Sequence, residues 1–237
     1  MNNKLNAAGL SDTGRVRSQN EDAWFADVER GLFIVADGLG GQESGGVAST
    51  IVVESVAEAV RAGGNLVDAL AGSHRAILTA SQQGRGKPGM ASTGVALQLK
   101  GNQYEVAWVG DSRAYLWDQS LHLLTKDHTY VQRLVDEGEI DVEEARMHPD
   151  RSFLTRALGA AKTKDVSIDS VTGHFFKNNQ IMLCSDGLTG EVSDKQIANI
   201  LEKDINEQAK VEQLVQLALD SGGSDNITAL LISSFVA

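Results

Sequence analysis

Apolar residues recur along this chain with two different periods, and the change from one to the other divides it into successive elements. Residues 5–10 read as an edge strand and Ala23-Trp24-Phe25 as another, separated by a polar loop from Ser11 to Asp22. The run Gly31-Leu32-Phe33-Ile34-Val35-Ala36 is short enough for one buried strand, and it delivers Asp37 to its C-terminal end. Gly38, Gly40 and Gly41 follow at once, where the backbone can turn and approach a ligand closely. Across 47–61 the period lengthens: Val52, Val56 and Val60, with Ile51 and Ala59 beside them, predict an amphipathic helix. A second helix starts at the N-cap Asn65 and carries Leu66, Leu70, His74 and Ile77 on one face, which makes His74 a helix-face residue rather than a ligand. Glycines and Pro88 make 82–90 a loop.

From Ser92 the period becomes two. Residues 94–99 and 104–109 flank a hairpin turn at 100–103, and 113–117 and 121–124 continue the pattern as an antiparallel meander. Asp127 caps a short helix whose apolar positions are Val131, Leu134 and Val135, with Gly138 as its stop. Residues 139–161 are charged and lack long apolar runs, so they read as a mobile surface segment. Strands return at 166–171 and 180–184. A helix capped by Ser193, with Gln196 as its capping-box partner, a second helix at 207–219 and a last strand at 227–235 complete the chain. Helices after the first and last groups of strands, with antiparallel strands between, indicate an α+β sandwich rather than a doubly wound parallel sheet.

Composition narrows the function classes. The 237 residues hold no Pro- or Ser-rich linker or charge block, so they read as one domain. A net charge of −11 argues against nucleic acid or an anionic membrane as partner, although bound cations could still attract a phosphorylated substrate. A single cysteine allows no internal disulfide, the first residues lack the apolar core of a signal peptide, and no apolar run reaches membrane-spanning length; the expected location is cytoplasmic.

The glycine turn after Asp37 fits neither familiar phosphate-binding loop. A dinucleotide fingerprint would need glycine or alanine where Glu43 stands, and a Walker loop ending at Gly86-Lys87 would need glycine at Ser81. The setting of Asp37 is instead repeated. Asp186 follows Ile181-Met182-Leu183-Cys184-Ser185 and precedes Gly187; Asp111 follows Val109-Gly110; Asp225 sits in the turn Gly222-Gly223-Ser224 before the last strand. Four hard oxygen ligands at strand ends, without histidine or cysteine partners, suit Mg²⁺ or Mn²⁺. In the 11–22 loop, Arg17 could hold an anion while Glu21 and Asp22 reach a metal or its waters; a solvated connection explains the same residues equally well.

In order, Ser-Asp-Thr-Gly-x-x-Arg-x-x-Asn-Glu-Asp at 11–22, Val-Ala-Asp-Gly-Leu-Gly-Gly at 35–41, Ser-Thr-Gly at 92–94, Val-Gly-Asp-Ser-Arg at 109–113, Leu-Thr-x-Asp-His at 124–128, Cys-Ser-Asp-Gly-Leu at 184–188 and Asp-Asn-Ile-Thr at 225–228 form a set. This set resembles the metal-dependent PPM family, the type 2C serine/threonine protein phosphatases, and specifically a compact bacterial member. The resemblance implies a four-layer αββα sandwich of two central antiparallel sheets, a catalytic domain over 5–237 and a flap at about 129–159. It implies hydrolysis of phosphoserine and phosphothreonine by direct attack of a water held between two Mn²⁺ or Mg²⁺ ions, and a cognate Ser/Thr protein kinase as counterpart.

Carried over by position, Asp37 resembles the carboxylate that bridges the two metals, Gly38 lends a backbone carbonyl to one, and Asp186 and Asp225 match the remaining metal carboxylates. Glu21 matches an acid acting through water, Asp22 and Asp111 match positions linked to a weaker third metal, and Arg17 matches the arginine that grips the substrate phosphate. Asn226 and Arg113 are read as supports for their neighbouring aspartates. The fork of arginine suits bidentate phosphate binding. Cys184 has Gly190, not arginine, where a cysteine-dependent phosphatase loop needs it, so it reads as buried filler.

The chain departs from the pattern in one respect. Where some members carry a histidine after Asp-Gly or after Gly-Gly, it has Leu39 and Gln42, which leaves His128 and His148 as the nearest candidates for an acid that protonates the leaving oxygen. A metal-poor binding module on the same fold and a hydrolase of small phosphate esters are the two alternatives. The first is disfavoured by the four intact aspartates.

Overall fold

A computed structural model describes residues 3–40, 44–160 and 165–236. In chain order the strands are β1 (Asn3–Asp12), β2 (Asp22–Asp27), β3 (Leu32–Leu39), β4 (Ala91–Ser92), β5 (Gly94–Lys100), β6 (Gln103–Val109), β7 (Arg113–Trp117), β8 (Leu121–Leu123), β9 (Asp169–His174), β10 (Gln180–Cys184) and β11 (Ile227–Val236). The helices are α1 (Ser44–Arg61), α2 (Leu66–Gln82), α3 (Tyr130–Asp136), α4 (Val142–Met147), α5 (Asp186–Thr189), α6 (Asp194–Leu201) and α7 (Glu207–Ser221).

The strands form two antiparallel sheets, one ordered β1-β11-β10-β7-β8 and the other β2-β3-β5-β6-β9, with β4 paired to β3. Three apolar clusters define the layers. Phe33, Val35, Val95 and Val106 of one sheet meet Ala114, Ile181, Leu183 and Leu230 of the other. On the outer faces, Leu32, Ile34 and Ala96 pack against α1 and α2 through Val52, Val56 and Leu70, while Met182, Ala229 and Leu231 pack against α6 and α7 through Ile197, Val211 and Leu214. Because β3 is covered on both sides, its sequence is an unbroken apolar run rather than an alternation. None of the described helices is long and apolar enough to cross a membrane.

The helix caps read from sequence are present: the Asn65 side chain accepts from the Asp68 N–H, and Ser193 and Gln196 form a reciprocal capping box. Four expectations need correction. The meander does not continue through one sheet, because β5 and β6 lie in one and β7 and β8 in the other. The chain changes sheets at Gly110-Asp111-Ser112, where Gly110 takes φ 104°; local alternation carries no information on which sheet a strand joins. The cap of α3 is Thr129, not Asp127, because the Asp127 carboxylate is taken by a bidentate pair with Arg113 at 2.7–3.2 Å. The 139–161 segment contains α4, closed by a capping box between Asp141 and Glu144, which a charged, apolar-poor sequence concealed. Finally, the strand expected at 166–171 is shifted: β9 runs from Asp169 to His174, and it includes Gly173, where the Tyr104 hydroxyl would lie 2.4 Å from an added Cβ.

Candidate active site

The expected site residues come together from five separate stretches of chain. In the β2–β3 pair Asp22 lies directly opposite Asp37. Asp186 opens α5 at the end of β10, with Ser185 as N-cap, and Asp225 precedes β11. Asp111 is buried in the turn between the sheets. Several of these carboxylates raise the proton affinity of others. Burial, then the charges of Asp22, Asp186 and Asp111, hold the Asp37 carboxyl well above its ordinary range. Burial, then Asp186, does the same for Asp111. Asp186 is raised by burial and next by Asp225. Asp22 is pushed up to about 7, chiefly by burial, although hydroxyls of Thr228 and Ser185 oppose the shift. The charge of Asp186 raises both Asp22 and Asp111, and neither of these two is among the main causes of the other's shift.

Individual side chains are aimed by neighbours the sequence reading did not single out. Asp22 Oδ2 accepts from Ser185 Oγ at 2.7 Å and Thr228 Oγ1 at 2.6 Å, which leaves its Oδ1 buried and without a hydrogen-bond partner; Asp186 Oδ1 is in the same state. The Asp37 peptide is clamped by Thr93, whose Oγ1 accepts from the Asp37 N–H at 3.0 Å and whose own N–H donates to the Asp37 carbonyl at 2.8 Å. Gly38 sits where only glycine fits, since a Cβ would lie 2.1 Å from the Gly45 carbonyl. The Glu21 carboxylate accepts from the Gly45 N–H at 3.0 Å, near the start of α1. Only their place inside short motifs could have pointed to Ser185, Thr228 and Thr93 beforehand.

Asn226 does more than support Asp225. Its Oδ1 accepts from the Glu21 N–H at 2.8 Å, and its Nδ2 donates to the carbonyls of Thr13 and Gln19, each at 2.9 Å. The loop carrying Arg17 is thereby pinned at both ends to the Asp225 turn. Arg17 is exposed, and its Nη2 lies 2.7 Å from Asp225 Oδ2; that charge is the main reason its guanidinium is held above its usual range. Arg113 hydrogen-bonds Asp127 and donates to Tyr115 Oη at 3.1 Å, while its charge also favours the ionised form of Asp111. Cys184 is buried, and burial pushes its thiol up to about 12.

The two histidines differ. His148 accepts at Nδ1 from the Asp150 N–H at 3.1 Å and tilts against Tyr130. His128 is buried, with Nδ1 accepting from the Gly110 N–H at 3.1 Å, a fixed arrangement unlike that of a mobile proton donor. Leu39 is half-buried, while Gly41 and Gln42 lie outside the described residues.

Among the described residues, no three His, Cys, Asp or Glu side chains are drawn together in an arrangement that could hold a metal ion as they stand. The carboxylates nevertheless fit hard divalent cations: all donors are oxygens, two buried oxygens lack partners, and the charges raise one another's proton affinity, a penalty that a cation would relieve.

A family model for protein phosphatase 2C matches residues 14–219. The chain is 39% identical to the serine/threonine protein phosphatase PstP of Mycobacterium tuberculosis over 96% of its own length and 44% of that protein, so it spans under half of this curated relative. It is 34% identical to the serine/threonine phosphatase stp of Listeria welshimeri, covering 96% of this chain and 95% of the other. Among solved structures, the catalytic domain of a PstP phosphatase in complex with two manganese ions superposes with TM-score 0.86 at 35% identity, over 98% of this chain and 99% of that one.

Proposed function

Because this chain belongs to the protein phosphatase 2C family, we propose that it is a metal-dependent protein phosphatase that hydrolyses phosphoserine and phosphothreonine in proteins. The observation that carries this reading is the group of mutually repelling carboxylates with two unpartnered buried oxygens, bordered by Arg17. Asp37, Asp186 and Asp225, with the Gly38 carbonyl, are the residues that would hold two Mn²⁺ or Mg²⁺ ions. Glu21 would contribute through water, and Asp22 and Asp111 would hold a third, weaker ion. Bound there, divalent cations supply Lewis acidity, a water of lowered pKa and neutralisation of phosphate charge.

The chain's own residues then have defined tasks. Thr93 fixes the Asp37 peptide, so the carboxylate is presented from a rigid strand end. Arg17 has fork geometry and solvent exposure suited to the non-bridging oxygens of an incoming phosphate, and must turn from Asp225 to reach them. Asn226 keeps the Arg17 loop beside Asp225. Residues 5–237 form one catalytic unit in this reading, with 129–159 as its flap and a Ser/Thr protein kinase as its cytoplasmic counterpart.

The test is release of phosphate from phosphoserine and phosphothreonine peptides, and from a simple phosphomonoester, with Mn²⁺ and after exhaustive chelation. Peptide turnover that requires Mn²⁺ is the expected result. Full activity after chelation overturns the metal assignment; turnover of the small ester alone favours the alternative of a small-ester hydrolase.

A further inference from the structure

His128 is a buried histidine that the proposed chemistry does not use, and its surroundings suggest a task. Two hydrogen bonds join it to Gly110: its N–H donates to the Gly110 carbonyl at 2.9 Å, and its Nδ1 accepts from the Gly110 N–H at 3.1 Å. Gly110 holds φ 104° and directly precedes Asp111. Its backbone lies against Thr93, so close that a Cβ there would be 2.6 Å from Thr93 Cγ2. The ring stacks on Trp108, with centroids 6.2 Å apart. Nε2 lies 3.3 Å from Asp169 Oδ2, without hydrogen-bond geometry.

On its other side His128 immediately precedes the segment 129–159. Its carbonyl accepts from the Thr155 N–H at 2.8 Å, and the Tyr130 N–H donates to Phe153 at 2.8 Å. They flank the bridge Thr129–Leu154, which ties the start of the segment to a point five residues before its end. One residue thus joins the backbone turn that aims Asp111 to the closure of segment 129–159.

We infer that His128 is a positioning residue that fastens the Gly110-Asp111 turn to the root of the flap, so that cation binding at Asp111 and ordering of residues 129–159 are linked. The inference rests on the proposed function only for the identity of the cation site. Linkage is reciprocal: whatever Mn²⁺ gains by ordering the segment, the segment gains in protection when Mn²⁺ binds.

Two variants separate positioning from space-filling. His128→Asn keeps an acceptor near the place of Nδ1, whereas His128→Leu keeps apolar bulk against Trp108 and removes the acceptor. Mn²⁺ binding by calorimetry and amide hydrogen exchange are read on both, with melting as a check on folding. His128→Leu is expected to weaken the Asp111-dependent Mn²⁺ event by about tenfold, the worth of roughly one hydrogen bond. It should also speed exchange at Gly110 and across 129–159, while His128→Asn stays within about threefold of wild type. A filler role predicts the reverse order, with leucine tolerated and asparagine harmful; that order, or equal loss in both variants, overturns the inference.

Should His128→Leu fail to fold, the linkage is read in the wild type and in Asp111→Ala. Mn²⁺ should protect 129–159 in the first and lose most of that effect in the second, and equal protection in both overturns it. None of these readouts requires turnover, so an inactive wild type would refute the proposed function without deciding the role of His128.

Discussion

Replacing Asn226 tests how the site is assembled, because one buried amide holds three backbone groups of the loop that carries Arg17 and Glu21. In Asn226→Ala the Glu21 N–H and the carbonyls of Thr13 and Gln19 lose their partners. Asn226 itself is only 5% exposed, so water does not readily replace them. At about 1 kcal/mol for each bond the loss is about 3 kcal/mol. For a chain of this length that corresponds to a fall in melting temperature of roughly 6–12 °C. Function should suffer in a particular way. Thr13 and Gln19 bracket Arg17, so freeing them lets the guanidinium wander and should raise KM for a phosphopeptide several-fold at saturating Mn²⁺. Asn226→Asp sharpens the test: it is nearly isosteric and keeps an acceptor for the Glu21 N–H, but it turns two donors into acceptors aimed at carbonyls. It should therefore be no better than alanine. Calorimetric melting and steady-state kinetics on both variants decide the matter. A melting temperature within about 2 °C of wild type together with an unchanged KM would show that the three bonds do not hold the loop.

Three further outcomes follow from the same geometry. Gly38→Ala should cost stability and abolish Mn²⁺-dependent turnover, because its Cβ would meet the Gly45 and Glu21 carbonyls at 2.1 and 2.6 Å; a variant with normal melting and rate would refute that packing. Arg17→Ala should lower kcat/KM for a phosphopeptide by roughly ten- to a hundredfold, mostly through KM, as expected for one lost charge-assisted contact; an unchanged KM would remove Arg17 from phosphate binding. In the chelated protein, stability should fall as pH rises from about 4 to about 7. The unfolded chain there releases the Asp22 proton near its ordinary value, while the folded chain retains it up to about 7. Asp37, Asp111 and Asp186, also raised, act in the same direction. Denaturant melts across this range should show the decline, and added Mn²⁺ should cancel it; stability rising with pH in the chelated protein would contradict the assignment.

The sequence alone determined most of the strands and the longer helices, and it singled out the candidate site residues, because both are written in local signals. A doubly covered strand must be apolar throughout, as at Leu32–Ala36. Helix starts need side-chain caps, as at Asn65 and Ser193, and a carboxylate beside glycine at a strand end needs little context to stand out. The ordered motifs carried the family, and with it the expectation of two sheets. Tertiary structure decided the rest. Which sheet receives β7 depends on the turn at Gly110, and on pairing across long sequence separations that no window of ten residues contains. Asp127 looked like a cap until Arg113 was found holding it. Asn226 looked like a neighbour's support, yet its partners at Thr13, Gln19 and Glu21 lie more than two hundred residues away. His128, read as a candidate acid from its place in a motif, has its Nδ1 committed to Gly110. In each case the side chain's chemistry was legible beforehand, and its partner was not, because hydrogen-bond direction is set by packing of both sheets and not by the residues adjacent in sequence.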